Sequence, residues 1–102
     1  MPDDYRVVIS AQASSDLHAV FNHIAKDSVQ NAAGWVERLL RSMDDLGTFP
    51  HRYPVVSARR KPPGESRVMP VRPYLVYYRV IESDRVVLIS TVIHGARRQP
   101  RQ

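Results

Sequence analysis

Two apolar stripes of helical period, one directly after the other, are followed by two strong strand candidates, and this succession constrains the chain more tightly than its composition does. Leu17, Val20, Phe21, Ile24 and Ala25 recur at i, i+3, i+4, i+7 and i+8, the spacing that gathers apolar side chains on one side of a helix. Ser10 stands ahead of them as a cap, and the helix is expected to end near Lys26-Asp27. Ser28 caps a second helix with the stripe Ala32, Val36, Leu39, Leu40 and Met43. Gly47, with Pro50 three residues on, is the punctuation expected after its last turn. So short a link between the two predicts an antiparallel helical hairpin.

Tyr5-Arg6-Val7-Val8-Ile9 is aromatic and β-branched, as an opening strand would be. From Thr48 to Ser66 no period survives, because Pro50, Pro54, Pro62, Pro63 and Gly64 break it. A loop of that length in a compact domain tends to be functional or mobile. Arg67 to Pro70 is a short strand that Pro70 assigns to an edge. Tyr74 to Ile81 alternates strictly, with Tyr74, Val76, Tyr78 and Val80 as the core side. Arg85 to His94 is apolar on both sides, as expected of a strand with neighbours on both edges. Its inward face stays open at this point. Glu82-Ser83-Asp84 separates these two at hairpin spacing. The expected fold is α+β, in the order β-α-α-β-β-β, with the helical hairpin packed on a small antiparallel sheet.

At 102 residues, residues 1–102 are expected to form a single domain. With 43% hydrophobic and 25% charged residues, a packed core is feasible. There are no cysteines, which excludes disulfides and cysteine-ligated zinc. The N-terminus lacks the positive-then-apolar pattern of a signal peptide, and no apolar run reaches membrane-spanning length. The expectation is a soluble cytoplasmic protein with no cofactor.

Charge is divided unevenly. Residues 1–54 hold five Lys/Arg against seven Asp/Glu, a net −2, whereas residues 55–102 hold ten against three, a net +7. Nine of those ten are arginines, which suit planar, bidentate recognition of carboxylate or phosphate. A negatively charged partner is therefore expected, against the alternative of a basic face that serves only solubility.

The run Tyr5-Arg6-Val7-Val8-Ile9-Ser10, then Ala13, Asp16-Leu17 and Ile24-Ala25, then Ala33, Trp35, Leu39 and Leu46 ahead of Phe49-Pro50, resembles the RelE/ParE superfamily of toxins. Arg67-Val68, Tyr74, Tyr77-Tyr78-Arg79-Val80 and Val86-Val87-Leu88-Ile89 leading to His94-Gly95-Ala96-Arg97 resemble its closing pattern. The likeness spans nearly the whole chain in the correct order. It implies a toxin of a type II toxin-antitoxin system, silenced by a cognate antitoxin whose acidic segment wraps the domain, with a dimer or heterotetramer as the assembly. The ParE-like branch implies DNA gyrase as the target, and the RelE-like branch implies ribosome-dependent cleavage of mRNA.

These branches ask different things of the residues. Metal-free RNA cleavage needs a base, an acid and cations around the phosphate. His94 is the acid/base candidate, since its ordinary pKa lies nearest neutrality, and Arg67, Arg79 and Arg97 are the candidate cations. The nuclease branch often carries a tyrosine or more lysines near the C-terminus, and this chain has only Lys26 and Lys61. That favours a toxin acting by binding. Arg59, Arg60, Lys61, Arg72, Arg79, Arg97 and Arg98 are the candidate contacts for antitoxin or target. A basic domain that merely binds nucleic acid is the remaining alternative. His18 and His23 are five apart and do not share the face of a helical metal site. His51-Arg52-Tyr53 is expected to pack back onto the domain rather than to stack on RNA.

Overall fold

A computed structural model describes residues 4–56 and 66–95 of the chain. Strand β1 (Arg6–Ile9) leads into helices α1 (Ala11–Ala25) and α2 (Val29–Asp45), and three strands follow, β2 (Ser66–Val71), β3 (Tyr74–Ile81) and β4 (Val86–His94). Both helices begin where the sequence offers a hydroxyl. Ser10 accepts from the Ala13 N–H at 3.0 Å and Ser28 from the Asn31 N–H at 3.1 Å, each satisfying a donor that a first helical turn leaves without a partner. The Ser10 hydroxyl also donates to the Ser90 carbonyl at 2.9 Å, fixing the entry of α1 to β4.

The four strands form one sheet in the order β1-β4-β3-β2. β2, β3 and β4 are antiparallel as expected, but β1 runs parallel to β4, so the sheet is mixed. The geometry of the excursion explains this. The helical hairpin returns the chain to Gly47, whose carbonyl accepts from the Tyr5 N–H at 2.7 Å beside the start of β1. β2 then sets out in the direction of β1, β3 reverses, and β4 must run with β1 when the two pair.

The core lies between the hairpin and one face of this sheet. Ala13 and Leu17 of α1 and Leu39 and Met43 of α2 meet Val76 and Tyr78 of β3 and Val87 and Ile89 of β4. In β4 a bulge resets the face: Tyr78 pairs with Ile89 but Tyr77 with Thr91, so Ser90 is the extra residue. Val87, Ile89 and Val92 consequently all reach the core despite their uneven spacing. Leu40, expected in the stripe of α2, is instead 41% exposed, because α2 turns residues 39 and 43 inward and Trp35 packs against the core beside them.

Pro70 sits on edge strand β2 as expected. The Ser66 carbonyl accepts from the Val56 N–H at 2.7 Å, away from β3. Alternation then turns the backbone of Val68 and Pro70 outward too, so the missing proline N–H costs the ladder nothing. Gly47 follows the last turn of α2, as the sequence suggested. A Cβ there would lie 2.7 Å from the Tyr5 carbonyl oxygen, so close approach, not a left-handed conformation, requires glycine.

Candidate partner interface

The candidate nuclease residues are divided between two faces of the sheet. His94 pairs with Tyr74 at the far end of β3, and its ring meets the Tyr74 ring edge-on at 5.3 Å on the helix side. There it lines a cavity of about 330 Å³ with Asp16 and His23 of α1. Arg79 alternates with the core residue Tyr78 and so lies on the opposite, open face. Arg79 lies five residue steps along β3 from Tyr74, roughly 17 Å of strand. Arg67 pairs with Tyr78 on the helix side, and its Nη1 donates to the Tyr53 carbonyl at 2.6 Å. It holds the loop after α2. The three residues do not converge on a point where one phosphate could sit.

Arg67 is one of several ties on that loop. The Tyr78 hydroxyl donates to the Pro50 carbonyl at 2.8 Å, and burial pushes its pKa above the ordinary tyrosine value, with Arg67 opposing. His51 Nε2 lies 2.7 Å from Glu82 Oε2, while the Tyr5 hydroxyl donates to Glu82 Oε1 at 2.7 Å. The hydrogen bond from Tyr5, then that from His51, lowers the Glu82 pKa. Tyr53 packs partly buried against the core. His51-Arg52-Tyr53 therefore does pack back on the domain, with its arginine left exposed.

The open face carries Val8 of β1, Leu75 and Tyr77 of β3, and Leu88 and Ile93 of β4, all partly buried, around Arg79. Such a face, apolar with a guanidinium among its side chains, suits a partner that brings both apolar side chains and carboxylates. Arg72 lies elsewhere, exposed in the turn between β2 and β3. It lines a groove of about 340 Å³ with Arg38 and Arg52, neither of which the sequence singled out. Their convergence depends on α2 lying along β2, a long-range contact that no local pattern signals. Arg59, Arg60, Lys61, Arg97 and Arg98 lie outside the described residues. Among the described residues there is no group of three or more His, Asp or Glu placed to hold a metal ion, and no helix long and apolar enough to cross a membrane.

Residues 7–99 match the model of a protein family described as the ParE toxin of the type II toxin-antitoxin system, parDE. Curated proteins give no match. Among solved structures, one of the chromosomal ParDE toxin-antitoxin system of P. aeruginosa superposes with a TM-score of 0.70 at 18% identity, covering 90% of this chain and 97% of that one. The RelBE2 toxin-antitoxin complex of Mycobacterium tuberculosis gives 0.61 at 26% identity over 89% and 91%. The archaeal RelE-RelB complex of Pyrococcus horikoshii gives 0.64 at 20% identity over 93% and 99%.

Proposed function

Since this chain belongs to the ParE toxin family of type II toxin-antitoxin systems, we propose that it arrests growth by binding DNA gyrase, without catalysis of its own, until a cognate acidic antitoxin covers it. One observation carries the choice of binding over cleavage: His94 and Arg79 lie on opposite faces of the sheet, and Arg67 is committed to the Tyr53 carbonyl. An acid/base group acts only within hydrogen-bond reach of the proton it moves. The apolar open face with Arg79 supplies what a binding mode needs, a complementary surface. The antitoxin is expected to be acidic because the second half of the chain is strongly basic.

Induced expression in a bacterial host tests this reading. The chain should halt growth, with intact mRNA and a DNA-damage response, and His94→Ala should halt growth as well. Position-specific mRNA cleavage in translating extracts, lost in both His94→Ala and Arg79→Ala, would instead establish the RelE-like ribosome-dependent endonuclease.

A further inference from the structure

The groove between α2 and the edge strand β2 has a closed floor and a charged rim. Leu46 and Met69 on the floor are buried within the domain itself, so what this groove of about 340 Å³ offers a ligand is polar. Three exposed arginines stand around it, one from α2 (Arg38), one from the following loop (Arg52) and one from the β2–β3 turn (Arg72). None of the three makes an ion pair with another described residue. Two of them are steadied by aromatic rings instead. The Arg38 guanidinium lies 4.8 Å from the centre of the Trp35 ring and that of Arg52 5.2 Å from the Tyr53 ring. Stacking on a ring leaves the in-plane N–H groups of a guanidinium available to pair with an anion.

Like charges drawn from three separate elements repel one another across a groove, and a bound anion relieves that repulsion. Asp45, the last residue of α2, also lines the groove, beside the carbonyl end of that helix. Three guanidinium groups against one carboxylate leave a formal net of +2. This balance limits the anion. A compact dianion matches it, whereas a phosphodiester strand carries its charge onward and brings the excess against Asp45. A phosphate group also presents oxygens in several directions, as guanidinium forks approaching from three elements require, while a carboxylate offers two oxygens in one plane. We infer that the groove binds a phosphomonoester dianion, supplied as free inorganic phosphate or as the phosphate of a mononucleotide. Arg38, Arg52 and Arg72 pair with its oxygens, and the half-buried Ser42 adds a hydroxyl donor. The volume falls at the lower end of the range for small-molecule sites, which leaves space for the group that carries the phosphate. This inference stands apart from the toxin reading.

The test has a built-in reporter, because Trp35 is the single tryptophan of the chain and Arg38 stacks on it. The full chain is titrated at constant ionic strength of about 150 mM and about pH 7.5, where a phosphomonoester is a dianion, while the emission of Trp35 is followed. Inorganic phosphate and adenosine 5′-monophosphate should each give a saturable change with a midpoint of about 1 mM, and adenosine should give none. Tighter binding of the monophosphate than of inorganic phosphate identifies a nucleotide as the source, and equal binding identifies phosphate itself. Arg52→Gln and Arg72→Gln, both away from the reporter ring, should each weaken binding by about tenfold. Asp45→Asn should tighten it by about threefold, and Lys26→Gln, on the exposed end of α1, should stay within about twofold. Circular dichroism verifies that each variant folds, and if one arginine variant does not, the other and Asp45→Asn carry the test. No saturable change, an equal response to adenosine, unchanged binding in the folded arginine variants, weaker binding in Asp45→Asn or an equal loss in Lys26→Gln would each overturn the inference. So would an oligothymidylate of about ten residues that binds more tightly than the monophosphate and is lost through the same arginines, since the groove would then belong to a nucleic-acid strand.

Discussion

Single side chains decide how the loop after α2 is held, and several of them titrate. Glu82 sits at a lowered pKa between Tyr5 and His51, so its contribution to stability is present above the ordinary carboxylate value and is lost as pH falls through its own. Glu82→Gln should therefore lower the melting temperature at neutral pH, and the difference from the unaltered chain should vanish in thermal melts taken well below pH 4.5. Tyr78 behaves in the opposite sense. Its raised pKa means that folding favours the neutral phenol, so stability is full below pH 10 and declines as pH rises past it. Tyr78→Phe should remove that alkaline decline. At neutral pH it should cost about 1–2 kcal/mol in urea denaturation, because the Pro50 carbonyl loses its donor. At Gly47 an added methyl group meets the Tyr5 carbonyl at 2.7 Å, and Gly47→Ala is expected to cost about 2 kcal/mol by the same measurement.

Among the elements, the link between α1 and β4 rests on Asp16, whose carboxylate accepts from the Thr91 hydroxyl and from the Val92 N–H at 2.9 Å. These bonds fall just after the bulge at Ser90, where the ladder with β3 is interrupted. Asp16→Ala should cost about 2 kcal/mol, and hydrogen exchange should show the Val92 amide opening before those of Val87 and Ile89. Most elements were legible before the structure. β3 spans the residues that its strict alternation predicts, and both helices start at the serines that cap them. The inward face of β4 was not legible, because a strand that is apolar on both sides carries no period and Ser90 gives no local sign of a bulge. The parallel entry of β1 was equally hidden, since it follows from where the hairpin delivers the chain. For the candidate interface, Arg72 is exposed and Arg79 half-buried, whereas Arg67 is drawn inward by a loop carbonyl that lies 14 residues away in sequence.

At the scale of the whole molecule, the two-layer fold leaves one sheet face shielded by the helices and the other open among the described residues, and the uneven charge of the two halves of the chain makes an acidic partner favourable. The described arginines do not form a single patch. Arg79 serves the open face, Arg72 joins Arg38 and Arg52 in the α2–β2 groove, and Arg67 supports the loop. Such a division gives one small domain more than one cationic surface. The measurement that bears most directly on action by binding is a supercoiling assay with purified gyrase, ATP and relaxed plasmid, titrated with the purified chain. Inhibition with accumulation of cleaved plasmid, equally strong with His94→Ala, is the predicted result. Unaltered supercoiling at large molar excess of a correctly folded chain would contradict it.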